Sequence, residues 1–300
     1  MNCYNGERYL REAIGSVLAQ TFTNWELVFW DNKSTDSSAE LFHSFKDSRL
    51  RYFLAPQHTH LGKARAQAWP HLNGEFMGVI DTDDIWLPSK LETQLDCFHD
   101  ADIGLCITNA NWIKNGQKKI AFNQPPPEGW VTGPLLKYYY PLLSTILFRR
   151  SSIKCLSYGF DPDFRSLSDF DLVLRLSTVA KLVYAPAVLT ELRLHKESET
   201  VKYGELFWLE KRLWVTKNQG SPGFLTYQEE IESLRKKIGQ NAGIYFLSIS
   251  QNAKVREEMM SLGLGSLKHL ILFLVSYLPL SKYLLVFWRY IRLRTGFRRR

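Results

Sequence analysis

The chain has 300 residues, 45% hydrophobic and 14% aromatic, with 18 Gly and 12 Pro, enough apolar material for a packed globular core and not the make-up of a disordered or collagen-like chain. Its net charge of +8 is not a nucleic-acid signature: eight of the 38 basic residues follow Glu258, after which no acidic residue occurs, and the preceding body is formally neutral. Cys3, Cys97, Cys106 and Cys155 have no CxxC or Cys/His spacing, which argues against a zinc site or disulfide framework and fits a reducing compartment.

From the start, Leu10, Ile14, Val17 and Leu18 mark one face of a helix beginning near Gly6, and Leu27 to Trp30 a short buried strand. Ser37 to Phe45 is predicted helical, opened by a Ser37-x-x-Glu40 capping box. Strand and helix then alternate: Arg51 to Leu54, Lys63 to Leu72, Phe76 to Ile80, Pro88 to Phe98. That rhythm implies a mostly parallel α/β sheet with helices on both faces. The chain enters its first helix almost at once, so the strand that should precede it is expected to be missing. From Ile103 the pattern changes to shorter strands around an Asn115-Gly116 turn, and Pro125-Pro126-Pro127 marks a loop. A strand near Thr145 to Phe148, a helix from Asp169 to Thr178 and strands at Leu182 to Tyr184 and Val188 to Leu194 follow. Residues 203 to 260 read as helical, with Glu232 and Lys236 paired one turn apart.

The tail mixes its cations with the apolar runs Leu270 to Val275 and Leu284 to Trp288, the composition of a membrane-surface element. Only 13 residues separate Lys268 from Lys282, and Pro279 lies among them; a bilayer span needs about 20. The segment is therefore expected to lie on an anionic membrane surface. No basic region followed by an apolar run opens the chain, so a cytoplasmic protein, peripheral on the membrane's cytoplasmic face, is expected.

The strongest chemical signal is Val79-Ile80-Asp81-Thr82-Asp83-Asp84, an apolar strand that ends in three carboxylates. It sets them at the carboxyl edge of a sheet, where open α/β folds bind ligands. Such crowding calls for a hard divalent cation, which binds carboxylates together with substrate phosphates. A metal-bound diphosphate is the ligand it implies; a solvated acidic turn is the bland alternative. The Asp31 to Asp36 segment forms a second polar edge: Asp31 and Asn32 could bond a base or ribose, and Asp36 suits a turn or cap. Arg65 is a candidate diphosphate partner, since a guanidinium fork matches paired phosphate oxygens. Trp86 and Trp130 could stack on sugar faces, or pack in the core.

Four segments in order and register, Tyr4 to Leu10, Gln20 to Leu27, Asp31 to Asp36 and Asp81 to Asp84, resemble the family 2 inverting glycosyltransferases of GT-A type over about residues 1 to 200. The resemblance implies a GT-A-like fold, a nucleotide-diphosphate sugar donor (a UDP-sugar favoured) and Mn²⁺ or Mg²⁺. It sets Tyr4, Asn5 and Thr82 in the nucleotide-sugar pocket, Asp31 and Asn32 near the base, Arg65 near the nucleotide, Asp81 near the ribose or metal, and Asp83 as principal metal ligand. It makes Asp169, in Ser168-Asp169-Phe170-Asp171, the base that deprotonates a glycan or lipid-linked acceptor. Locally, the helix dipole favours an ionised Asp169, while Ser168 and Asp171 could equally be a capping pair. Arg193-x-His195 matches too, with His195 and Trp86 as acceptor-side candidates. Where the family commonly has a second acid, a glutamate and an asparagine, this chain has Asn32, Ser168 and Ala66.

The expected organisation is a transferase domain over 1–200 (nucleotide-sugar half 1–107, acceptor half 108–200), a helical extension over 201–260 and a basic amphipathic tail over 261–300. The expected reaction is single displacement with inversion, in cell-surface polysaccharide synthesis. Two other classes share parts of the pattern. A non-catalytic nucleotide-binding remnant would tolerate loss of Asp169, and a nucleotidyltransferase would release pyrophosphate and leave Asp169 unexplained.

Overall fold

The computed structural model of the protein describes residues 1–278. Expectations for Pro279 and the later part of the tail lie outside the described residues. The chain divides into two compact units, Met1–Lys202 and Tyr203 onward.

The first unit begins with β1 (Asn2–Cys3), α1 (Glu7–Leu18), β2 (Leu27–Asp31), α2 (Ser38–Ser44) and β3 (Leu50–Leu54). The strands form a parallel sheet in the order β1-β2-β3. The first strand is thus present, though only two residues long, which corrects the expectation that it is missing. Its pairing uses backbone alone: the Met1 amine donates to Val28 O (2.9 Å), Trp30 N to Met1 O (2.9 Å) and Asn32 N to Cys3 O (2.8 Å). All five residues of β2 are buried, as a central parallel strand requires. Leu10, Ala13, Ile14 and Val17 of α1 pack into the same core as Phe29 and Phe42.

Ser37 makes no side-chain cap, contrary to the capping-box expectation. Asp36 takes that role for two helices at once, accepting from Glu7 N (3.0 Å) at the start of α1 and from Ser38 N (3.0 Å) at the start of α2. Glu7 returns the bond by accepting from Ser37 N (2.9 Å). Two helix N-termini separated by a strand are thereby tied to one loop.

Next come α3 (Leu61–Ala68), β4 (Phe76–Gly78), β5 (Ile85–Trp86), α4 (Lys90–Leu95), β6 (Ile103–Lys114), β7 (Gln117–Ile120), α5 (Thr132–Lys137), β8 (Ile146–Arg149), α6 (Arg150–Lys154), α7 (Ser168–Ser177) and β9 (Lys181–Arg193). A second sheet runs β4-β8-β6-β9-β5, with β7 hairpinned onto β6. Parallel pairing holds for β1-β2-β3 and β6/β9, whereas β4/β8, β5/β9, β6/β7 and β6/β8 are antiparallel. Alternation with helices stops after α4, so the later strands are no longer bound to the parallel crossover rule. Asn115 and Gly116 both have positive φ (51° and 77°), the two-residue turn that closes β6 and β7. The two strands expected at 182–184 and 188–194 are one, β9, with exposed Pro186 and Ala187 looping out where its register against β6 shifts.

Trp86 is buried in the core, its Nε1 donating to Ser144 O (2.8 Å), which removes it as a sugar-stacking face. Lys90 is buried beside it, its ammonium 4.1 Å from the Trp86 ring centroid and donating to Gln94 Oε1 (2.6 Å). Gln94 in turn donates to Cys106 O (2.7 Å) and Thr145 O (3.0 Å), so α4 grips both β6 and the turn before β8.

The second unit is helical: α9 (Phe207–Asn218), α10 (Gln228–Ser248), α11 (Asn252–Ser261) and α12 (Leu267–Val275) follow the short α8 (Glu199–Tyr203). Leu247, Val255 and Met259 form a core against which Leu272, Phe273 and Val275 pack. Gly239 and Gly243 let α10 meet its neighbours closely, since a Cβ at Gly239 would stand 2.2 Å from Leu262 Cδ1 and one at Gly243 2.8 Å from Met259 Cε. Among the described residues no helix is long and apolar enough to cross a membrane.

Burial pushes the Lys90 ammonium down to about 7. Above that pH the folded chain holds Lys90 neutral while the unfolded chain still binds the proton, so this residue makes stability rise with pH until the unfolded lysine also deprotonates, near 10. Lys90→Met is expected to flatten that rise and to stabilise the fold below pH 7, measured by urea unfolding across the range.

Candidate active site

The chain leaves β4 through buried Val79 and Ile80 and turns at once, Asp84 N donating to Asp81 O (3.1 Å). The three carboxylates of this turn are satisfied in three directions. Asp81 Oδ1 accepts from Arg65 Nη2 of α3 (2.9 Å). Asp83 Oδ2 meets His195 Nε2 (2.9 Å), just beyond β9. Asp84, buried, accepts from Ser144 Oγ (2.5 Å) and from Arg193 N (3.2 Å). Burial first, and then its neighbouring aspartates, hold the Asp84 carboxyl well above the usual range; burial and Asp81 also raise that of Asp83, against the pull of His195.

The Arg193-x-His195 segment wraps this edge. Arg193 Nη1 donates to Asp83 O (3.1 Å), its Nη2 to Glu12 Oε2 (2.5 Å), and its guanidinium carbon lies 4.9 Å from the Tyr9 ring centroid. One arginine thus ties the end of β9 both to α1 and to the turn after β4. His195 Nδ1 is buried with no hydrogen-bond partner among the described residues.

Arg65 joins this edge to α7. It is 5% exposed, and besides Asp81 it donates through Nη1 to Ser168 Oγ (3.2 Å), next to Asp169. Asp169 stands in the first turn of α7, half-buried, with Oδ2 accepting from Tyr139 OH (3.0 Å). Burial raises its carboxyl, while the nearby Arg65 charge and the Tyr139 bond pull it back down. Asp171 is not the partner in a cap with Ser168: it is buried, and its Oδ2 accepts from Arg175 Nη2 (2.5 Å) one turn on, with Arg175 also holding Tyr158 O and Gly159 O.

The other polar edge is more closed than its residue types suggest. Asp31 is 1% exposed, Oδ1 accepting from Ser34 N (2.7 Å) and Oδ2 from Tyr52 OH (2.6 Å). The Asn32 amide pairs with the Thr59 backbone, donating to its carbonyl (2.6 Å) and accepting from its N–H (3.1 Å). Asn5, at φ 54°, accepts from Thr35 N (2.8 Å). Tyr4 is exposed, its ring 3.9 Å from that of His58. Thr82 lies against Gly6, where a Cβ would stand 3.1 Å from its Oγ1.

Three contributors were not visible in the sequence: Ser144, Tyr139 and His58. Ser144 and Tyr139 come from the stretch between α5 and β8, and only the Tyr138-Tyr139-Tyr140 run hints at that stretch. Among the described residues no group of three His, Cys, Asp or Glu is arranged to hold a metal ion. Asp83 with His195 offers one oxygen and one nitrogen ligand, each side chain about one-fifth exposed (23% and 21%).

Residues 1–156 match the family described as Glycosyl transferase family 2. The chain belongs to that family. Among relatives, an Escherichia coli protein named UDP-Glc:alpha-D-GlcNAc-diphosphoundecaprenol beta-1,3-glucosyltransferase WfgD is 32% identical over 132 residues, 41% of this chain and 52% of that one. WfaP of the same organism, named for the same activity, is 26% identical over 157 residues, 52% of this chain and 62% of that one. The matches therefore span between half and two thirds of those relatives. The fold is GT-A-like: Staphylococcus aureus TarS 1-349, solved with UDP-GlcNAc, superposes at a TM-score of 0.68 with 15% identity, over 98% of this chain and 90% of that one. Mannosyltransferase PcManGT from Pyrobaculum calidifontis, solved with GDP-Man and Mn²⁺, superposes at 0.61 with 14% identity, over 97% and 79%.

In this family 2 chain the seating of Arg65 rests on Gly62. Gly62 N donates to Arg165 O (2.9 Å), and a Cβ there would stand 1.7 Å from Phe164 O. Gly62→Ala must displace backbone, so it is expected to destabilise the fold by about 2–3 kcal/mol in urea unfolding.

Proposed function

We propose that the chain is an inverting glycosyltransferase, with Asp169 as the base for an acceptor hydroxyl and the Asp81–Asp84 edge as the binding site of a nucleotide-diphosphate sugar. The observation that carries this reading is the Arg65 bridge: one buried guanidinium bonds Asp81 and the residue preceding Asp169, so the acid edge and the base are held in one electrostatic unit. A base needs a carboxyl lifted toward working pH yet still ionised, and burial opposed by Arg65 and Tyr139 does that for Asp169. The acceptor oxygen gives its proton to Asp169 and bonds the anomeric carbon as the bond to the diphosphate oxygen breaks, with the electron pair leaving on the diphosphate. A single displacement from the opposite face inverts the carbon.

Asp83 would hold Mn²⁺ or Mg²⁺ through its carboxylate together with phosphate oxygens of the donor, and His195 would add a nitrogen ligand suited to Mn²⁺ rather than Mg²⁺; burial among carboxylates already strains Asp83 and favours a cation there. When bound, the ion supplies charge neutralisation for the departing diphosphate. Asp81 is held by Arg65 and is the weaker ligand candidate. Thr82 meets the start of α1 at Gly6, and Tyr4 and Asn5 lie against His58 and Thr35 beside the loop that Asp31 and Asn32 brace, where the nucleotide base would sit.

A UDP-sugar donor and a lipid-linked acceptor are favoured by the names of WfgD and WfaP and by the UDP-GlcNAc complex of TarS. A role in cell-surface polysaccharide synthesis follows from that acceptor class. On this reading residues 1–200 are the transferase domain, 201–260 a helical extension, and the basic tail over 261–300 holds the enzyme peripherally on the cytoplasmic face of an anionic membrane.

Asp169→Asn is expected to lower kcat by about 10²–10⁴ with UDP binding retained in calorimetry; unchanged turnover would sink the assignment. Tyr139→Phe removes a bond that favours the ionised carboxylate, so the acid limb of the pH–rate profile moves to higher pH. Asp83→Ala is expected to abolish Mn²⁺-dependent binding of UDP, with metal-free binding unchanged.

A further inference from the structure

Helix α12 buries one apolar face and exposes another. His269 and Ser276 are buried, and Leu272, Phe273 and Val275 pack on the α10–α11 core. On the opposite side Leu267 (72% exposed), Leu270, Ile271 and Leu274 (55%) follow helical spacing, and exposed Tyr277 and Leu278 continue the stripe beyond the last turn. At 100° per residue the four leucine and isoleucine positions fall within an arc of about 100°, the width of a face that normally meets a core. Nothing in the second unit covers it among the described residues. A contiguous aliphatic stripe left to water is costly and marks a docking surface.

We propose that this face of α12 is the element that inserts into an anionic lipid surface, a proposal that deepens the peripheral-membrane reading above and rests on it. Charge selects the occupant. Exposed Lys268 flanks the stripe, and the chain after Glu258 carries eight Lys and Arg and no acid. An apolar stripe flanked by a lysine, in a stretch of sequence that carries cations and no acid, fits acyl chains beneath anionic headgroups. A second copy would bring together two such stretches of sequence, each rich in cations and without an acid to offset them. Length points the same way: nine helical residues span about 14 Å, half a bilayer core, so the helix lies in the interface and does not cross it.

The test is flotation of the full chain with phosphatidylcholine vesicles and with vesicles that also contain phosphatidylglycerol. The wild type is expected to float with the anionic vesicles, less at high salt. Leu270→Asp/Leu274→Asp should cut the bound fraction at least about tenfold. Leu267→Gln, at the most exposed position, should give a smaller loss and guards against misfolding; far-ultraviolet circular dichroism and UDP binding report on the fold of both variants. Equal flotation of wild type and variants overturns the proposal, as does failure of the wild type to float. A dimer by light scattering that the double variant splits would assign the face to a second copy instead. Transfer to a soluble acceptor should be unaffected by these substitutions, so a vesicle result against the proposal leaves the transferase reading standing, and loss of transfer in Asp169→Asn leaves the lipid contact standing.

Discussion

Everything at the site depends on how a buried arginine is compensated. Arg65 is removed from water on a helix with no acidic residue in its first turn, and Asp81 is its ion-pair partner. Burying an unpaired guanidinium would be prohibitive, so β4 must end where Asp81 can reach it, and α7 must begin where Ser168 can accept its second donor. Asp169 is fixed as a by-product of that demand. Two segments about a hundred residues apart are aligned by one planar fork whose donors point in set directions.

The same logic distributes the three carboxylates that follow β4. Left parallel, they would repel; each is given a different counterpart, a guanidinium for Asp81, an imidazole for Asp83, and a hydroxyl with a backbone N–H for Asp84. Asp84 receives neutral partners only, and its carboxyl is raised more strongly than that of Asp83. Crowded acids therefore do not imply equal roles: the innermost braces Ser144 and β9, and the outer two keep part of their surface open.

What the sequence disclosed follows this division. Short-range signals were legible: the buried run of β2, the Asn115-Gly116 turn, the apolar face of α1, and the acid edge itself, all set by residues within a few positions of one another. Contacts that join distant segments were not. Ser37-x-x-Glu40 has the pattern of a capping box, yet Asp36 caps α2 and α1 together, a choice made by tertiary approach. Trp86 follows the metal-type motif by two residues and so looked available to substrate, but the Ser144 carbonyl and the Lys90 ammonium claim it for the core. The first strand went unrecognised because two residues carry no periodicity; backbone hydrogen bonds from Met1 to Asn32 define it, and these leave no mark in the side-chain pattern.

The loop before β8 carries the same lesson into the chemistry. Tyr139 bonds the proposed base, Ser144 bonds the innermost acid, and the Ser144 carbonyl holds Trp86, all within six positions of a segment with little regular structure. A loop can serve three elements because its groups are not committed to a ladder of their own, and it stays in place because Gln94 ties Thr145 and Cys106 from below. Substitution is therefore most constrained wherever a side chain answers Arg65, Asp84 or Gln94, because each of these buried groups would lose a hydrogen-bond partner.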